Sequence, residues 1–294
     1  MTATPPRDRE VCGRERLVTA APSGDFHRSV RSSSEGTERP EGTPVRHDHE
    51  GRRVSRRRLI AGVSSLGLGG LLSASGARAG TVTTDISSLL AGAGTCTLTP
   101  SATQGPFYFD AGRIRSDIRE GKPGVRLRLG IRVQDSTACR PVRDAVVEIW
   151  HCDAAGLYSG AEKESKGGSL GKPLMTDMTP TDDKRYLRGA QVTNPDGIVQ
   201  FTTIWPGWYP GRTVHIHVMV HVSDKRVLCT QLMFDESRNA EVLARPPYSA
   251  HPGRDTVNEK DEDYRDGMLT TVVEDGDGYL GAIVLSADPD RDGR

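Results

Sequence analysis

The chain has 294 residues, 35% of them hydrophobic and only 5% aromatic, with 33 glycines and 18 prolines. That is enough apolar residue for a full core in one or two turn-rich units. Its 39 basic residues are matched by 39 acidic ones, so the bulk composition implies no nucleic-acid surface.

Residues 1–79 differ from the rest. Arg, Ser, Gly, Glu and Pro dominate up to His49, and no run there can form a buried face. The stretch SRRRLIAGVSSLGLGGLLSASGARA, Ser55 to Ala79, then joins an arginine run to a mildly apolar segment and an Ala-Arg-Ala exit. This predicts a twin-arginine signal cleaved near Ala79, and hence a secreted or extracytoplasmic protein. About eighteen moderately apolar residues interrupted by glycine are too short and weak for a stable membrane span after cleavage. The length of the leader also predicts a translation start later than Met1, with Val45 as one candidate.

The exported part, 80–294, is expected to form one domain. It carries 25 basic and 30 acidic residues, a mild negative excess that disfavours DNA or anionic lipid as partner. Cys96, Cys139, Cys152 and Cys229 lie in it without C-x-x-C spacing. An oxidising destination favours disulfides over metal ligation, with three pairings open. The twin-arginine route carries proteins that fold, and often load a cofactor, before export, so a metal is worth seeking.

In chain order, a short helix is expected near Asp85 to Leu90. Strict alternation in VRLRLGIRV, Val125 to Val133, predicts a half-buried strand with arginines on its second face. Further strands are predicted at Ala145 to Cys152, Ile198 to Trp205, Thr213 to Val222, Arg226 to Phe234 and Gly278 to Ser286. Turn residues separate several of them, as at Asn194 to Gly197, Ser223 to Lys225 and Asp275 to Gly278. The pattern predicts an all-β fold, an antiparallel β-sandwich with little helix. Two polar insertions, Ser159 to Gln191 and Asp235 to Met268, are too long for hairpins and are expected to be loops at an active site.

The chemistry concentrates in WPGWYPGRTVHIHV, Trp205 to Val218. On the strand that follows the turn, Val214, Ile216, Val218, Val220 and Val222 point one way, and His215, His217, Met219 and His221 the other. His215 and His217 can share one metal; His221, farther along, is taken as structural. Tyr209 sits in a constrained Gly-Trp-Tyr-Pro-Gly turn just ahead, and Tyr158 follows a strand end in WHCDAAGLYSG. Each tyrosine alone would be a turn residue packing its ring. Together with two imidazoles, two hard anionic phenolates favour Fe(III) over Zn(II) or Cu(I), and coordination would lower the phenol pKa from its free value of about 10.

WHCDAAGLYSG, NPDGIVQFTTIWPGWYPGRTVHIHV and TQLMFD, in this order, resemble the intradiol ring-cleavage dioxygenases, and TQGPFYFD at Thr103 to Asp110 resembles that family's pocket-lining segment. The resemblance runs from about Cys96 to Ala287. It implies that Tyr158, Tyr209, His215 and His217 bind one non-haem Fe(III), with Tyr209 and His217 axial. It implies a small aromatic diol and O2 as substrates, cleaved between the hydroxyl-bearing carbons to a cis,cis-muconate. Tyr209 would double as a base, Arg212 would stabilise charge on the substrate ring, Gln231 would lie near the same carbon, and Gly105 and Pro106 would line the pocket. Where the family often has an acidic or apolar residue, this chain has Gln104. The interval from Gly80 to Gly105 leaves no room for the helical dimerisation segment of the cytoplasmic enzymes, so the resemblance is to the secreted branch and the oligomeric state stays open. Lys184, Arg185 and Arg188 are available to a substrate carboxylate. The alternative from another class is a secreted metal-binding β-sandwich protein without ring-cleavage activity, since a fold does not specify an activity. A zinc or copper site using only the histidines is a third.

Overall fold

The computed structural model describes residues 85–91, 96–167 and 176–290. The leader, the twin-arginine segment and the cleavage point near Ala79 lie outside the described residues. The elements are helix α1 (Ile86–Ala91), strands β1 (Arg126–Asp135) and β2 (Val146–Trp150), helix α2 (Glu162–Ser165), strands β3 (Arg188–Val192), β4 (Ile198–Ile204), β5 (His215–Val222) and β6 (Lys225–Met233), helix α3 (Glu236–Leu243), and strands β7 (Thr271–Asp275) and β8 (Gly278–Ala287). They form two four-stranded sheets, ordered β4-β1-β8-β7 and β3-β2-β5-β6. Among the described residues no helix is long and apolar enough to cross a membrane.

Alternation in β1 builds the core. Leu127, Leu129, Ile131 and Val133 are fully buried and share one hydrophobic cluster with Val147 and Ile149 of β2 and Ile216, Val218 and Val220 of β5. Each such side chain contributes roughly 1.5–3 kcal/mol relative to exposure. On the opposite face Arg126 and Arg128 both reach Asp275, at 2.9 and 3.1 Å. Between them and Arg132 stands Gly130, where a Cβ would come within 2.4 Å of Ile86 Cγ2. The missing side chain lets α1 lie against the sheet.

The expectation of a wholly antiparallel fold needs correction. β1 and β8 pair in parallel, from Leu127↔Tyr279 to Asp135↔Ala287, while the other strand pairs are antiparallel. Alternation assigns a face to each residue but no direction to the partner. The direction of β8 is set by its hairpin with β7, which places β7 at the edge.

The two insertions are not all loop. The first contains α2 and β3, and the second contains α3, capped by Asp235, whose carboxylate accepts a hydrogen bond from Ser237 N at 2.8 Å. β3 reads Arg-Gly-Ala-Gln-Val, without the β-branched alternation that marks a strand.

The disulfide expectation holds for one pair of cysteines and not for the other. Cys96 and Cys139 form a disulfide, whereas Cys152 and Cys229 are buried thiols. Cys229 lies on β6 and Cys152 just beyond β2, with β5 between those strands. Two strand spacings, about 10 Å, exceed the Cα separation a disulfide spans.

Candidate metal centre

The face of β5 opposite the core is not solvated. His215, His217 and Met219 are buried, covered by the segment around Phe107 and Tyr108 and by the turn that carries Tyr158. The centre therefore lies on the outer face of the β3-β2-β5-β6 sheet.

Two turns deliver the phenols. The turn that carries Tyr209 is anchored just ahead of it by two indoles: Trp205 Nε1 donates to Asn239 Oδ1 at 3.2 Å, and Trp208 Nε1 donates to the His251 carbonyl at 2.9 Å. The turn closes where Arg212 N donates to the Tyr209 carbonyl. Ahead of Tyr158, Asp153 Oδ1 accepts from the backbone N–H groups of Ala155 and Leu157, both at 3.0 Å, and Lys122 pairs with the same carboxylate at 2.6 Å. Tyr158 N donates to Ser165 Oγ at 3.1 Å.

The structure brings all four expected ligands together. From His215 Nε2 the distances are 3.1 Å to His217 Nε2, 3.3 Å to Tyr209 Oη and 3.4 Å to Tyr158 Oη. Their residues are 0–2% exposed. Donors each about 2 Å from a common ion stand roughly 3 Å apart, so the set fits one ion. His215 Nδ1–H donates to the Thr213 carbonyl at 2.7 Å, which leaves its Nε2 lone pair free to ligate. Among the described residues no group of three or more His, Cys, Asp or Glu could hold a metal; this donor set is completed by phenols.

Burial governs the protonation states. It pulls the His215 pKa down to about 3, with the nearby Arg212 acting in the same direction. Burial, then the nearness of His215 and Arg212, holds His217 well below the usual histidine range. Both imidazoles are neutral donors at pH 7. Burial pushes Tyr209 up to about 12 against the opposing pull of Arg212, and raises Tyr158 further, assisted by Tyr209. Two phenols that resist ionisation in a dry site require a strongly charged cation to become phenolates. The residues fit Fe(III).

Arg212 stands beside this centre. Its Nε reaches Asp261 Oδ2 at 3.0 Å, its Nη2 lies 3.2 Å from Asp263 Oδ2, and the same Nη2 donates to Gln231 Oε1. Gln231, fully buried, also donates through Nε2 to the Thr103 carbonyl at 3.3 Å. Asp261 and Asp263 escape sequence reasoning, because an acidic run inside a long polar insertion reads as a solvated surface.

The segment resembling a pocket lining packs on the candidate ligands. Gly105 adopts φ +75°, and a Cβ on it would stand 2.9 Å from His217 Cε1, so this position needs glycine for both conformation and space. Pro106 is buried beside it, and Phe107 stacks on Tyr158 with ring centroids 4.7 Å apart. Gln104 is buried and donates to Asp177 Oδ1 at 3.1 Å.

The three candidate carboxylate partners separate. Lys184 pairs with Glu162 at 2.7 Å, and Arg185 is tied to the carbonyls of Asp182 and Lys184. Arg188 is 2% exposed, bonds through Nε and Nη2 to Ser159, and keeps Nη1 without a hydrogen-bond partner among the described residues. Burial lowers its pKa to about 9. The register explains its proximity, for Arg188, Trp150, His217 and Gln231 lie opposite one another across β3, β2, β5 and β6. His221 bonds to Glu148 Oε2 at 3.1 Å, away from the ligand cluster.

A family model described as Dioxygenase matches residues 103–251. The chain is 32% identical to a solved intradiol ring-cleavage dioxygenase from Tetranychus urticae, covering 67% of this chain and 96% of that one with a TM-score of 0.61. Among curated proteins it is 28% identical to a chlorocatechol 1,2-dioxygenase from Rhodococcus opacus, over 47% of this chain and 56% of the relative. It is 30% identical to a catechol 1,2-dioxygenase 2 from Acinetobacter lwoffii, over 47% of this chain and 51% of the relative. The chain thus spans about half the length of the curated relatives it matches. With the family model covering half of the sequence and the Tetranychus urticae structure matched almost end to end, the chain belongs to the intradiol ring-cleavage dioxygenase family.

Proposed function

We propose that this protein is a non-haem Fe(III) intradiol dioxygenase that cleaves a catechol-type ring between its two hydroxyl-bearing carbons, adding both atoms of O2 to give a cis,cis-muconate. The observation that carries this reading is the convergence of two buried phenol oxygens and the His217 Nε2 nitrogen within 3.1–3.4 Å of His215 Nε2. The names of the relatives agree with it. Bound Fe(III) would supply a hard Lewis acid that keeps the phenol oxygens anionic and withdraws electron density from a chelated diol.

The protein's own residues do the rest. His215 and His217 offer neutral lone pairs, and Tyr158 offers an oxygen from a rigid turn. Tyr209 Oη, once ionised, accepts a proton from a substrate hydroxyl, acting as ligand and base in turn. Arg212, oriented by Asp261, Asp263 and Gln231, opposes negative charge on the substrate ring. Gly105, Pro106 and Phe107 wall the centre and exclude water. Residues 80–294 are read as one domain whose two sheets close as a β-sandwich. Export through the twin-arginine signal is inferred from Ser55 to Ala79 and is supported by the Cys96–Cys139 disulfide, which suits an oxidising compartment.

The test is oxygen uptake by iron-loaded protein across a panel of substituted catechols. A red-brown protein that consumes one O2 per diol and forms a muconate is expected. Red protein inert toward every catechol would leave the non-catalytic metal-binding alternative, and colourless protein holding stoichiometric zinc would overturn the iron assignment.

A further inference from the structure

The two imidazoles of the centre are held in different ways. His215 is oriented by a hydrogen bond from Nδ1–H to the Thr213 carbonyl at 2.7 Å, the usual device for a metal-ligating histidine. His217 has no such bond, since its buried Nδ1 is without a hydrogen-bond partner among the described residues. What touches its ring instead is flat and close. The Trp150 indole lies 4.9 Å away at an interplanar angle of 2°, and the backbone of Gly105 leaves no room for a methyl group against the same ring.

The indole is itself backed by a fixed group. Tyr108 packs on Trp150 with ring centroids 4.7 Å apart, and Tyr108 Oη donates to Glu148 Oε2 at 3.0 Å. The same carboxylate oxygen lies 3.1 Å from His221 Nε2. Trp150 and His217 are opposite residues on the neighbouring strands β2 and β5, the spacing at which side chains on one sheet face interact most strongly.

Resting on the metal-centre reading above, we propose that Trp150 is a positioning residue that sets the plane of the His217 imidazole by stacking, in place of the hydrogen bond that sets His215. Ring stacking resists tilting but adds no acceptor at Nδ1. His217 is consequently the less basic of the two imidazole donors and depends on packing for its aim. His221, which ligates nothing, acts at the far end of the same stack by fixing Glu148 and, through it, Tyr108.

The experiment compares Trp150→Leu and Trp150→Phe in the full chain. In crystals of iron-free Trp150→Leu the His217 ring is expected to leave its wild-type plane, and in Trp150→Phe to keep it. In loaded protein, Trp150→Leu should release iron to a chelator about 10- to 100-fold faster, with a shifted tyrosinate-to-iron absorption band, while Trp150→Phe restores both to near wild-type values. A His217 ring unmoved in Trp150→Leu overturns the proposal. Should that variant fail to fold, Trp150→Met takes its place, and a His217 ring that keeps its wild-type plane there overturns the proposal equally. Ring orientation is read without iron, so a wild-type protein that takes up no iron would defeat the metal-centre reading and not this one.

Discussion

Asp261 grips Arg212 and the backbone beside it at once: its Oδ2 accepts from Arg212 Nε at 3.0 Å and from Thr213 N at 2.7 Å. One carboxylate thus aims the guanidinium and anchors the approach to the strand that carries both candidate histidine ligands. The Asp261 carboxyl is held below the usual range by the Arg212 charge and the Thr213 N–H, against the opposing effect of burial. Asp261→Asn keeps an acceptor for the backbone but weakens the hold on Arg212. It is expected to lower kcat/KM about 10- to 100-fold, the value of a charged hydrogen bond, and to leave the iron colour intact. Steady-state oxygen uptake beside a visible spectrum checks this, and bleaching would show that Asp261 serves the ligands instead.

Tyr158→Phe and His217→Ala each remove one of four donors from a site less than 3% exposed. Both are expected to lose iron or colour, with bound metal reduced at least about tenfold. Arg212→Ala should retain the metal and lose most turnover. Metal analysis and absorbance on the three variants separate ligands from charge stabiliser.

His151 provides a pH test at a buried imidazole outside the candidate ligand set. Its Nδ1–H donates to the Cys152 carbonyl at 2.8 Å, and Thr203 Oγ1–H donates to its Nε2 at 2.7 Å. Burial lowers its pKa from 6.5 to about 4. Between those values the unfolded chain binds a proton that the folded protein refuses, so stability rises with pH and is lost as pH falls through the window. The loss assigned to this residue is roughly 3 kcal/mol. Urea midpoints of iron-free protein at pH 7 and pH 4.5 should show a smaller pH dependence for His151→Gln than for wild type; equal dependence would contradict the buried neutral state.

The disulfide and the two thiols predict distinct redox behaviour. Reducing Cys96–Cys139, separated by 43 residues, should cost about 2–4 kcal/mol of stability. Cys152 and Cys229, each 1% exposed, should react with a maleimide only after unfolding. Mass spectrometry after labelling under native and denaturing conditions measures both.

Alternation located six of the eight strands, because a period of two with one apolar face is written directly in residues such as Leu127, Leu129 and Ile131. It missed β3, whose Arg188 and Gln191 read as surface while Arg188 is 2% exposed, and the edge strand β7. The candidate donor set was legible by type and order: two histidines two apart on a strand, each tyrosine in a turn. Asp261 and Asp263 were not, since nothing local distinguishes a carboxylate beneath a guanidinium from one in water.

The sequence alone determined which faces are apolar, where turns fall, and which side chains have the chemistry of a ferric ligand. Only the tertiary structure decided that β1 and β8 run parallel, that Cys152 and Cys229 stay apart, and that Arg188, Trp150, His217 and Gln231 share one row. The reason is physical. Periodicity and residue type are local properties, whereas register, direction and the approach of atoms far apart in the chain are set by how two sheets bury a common core.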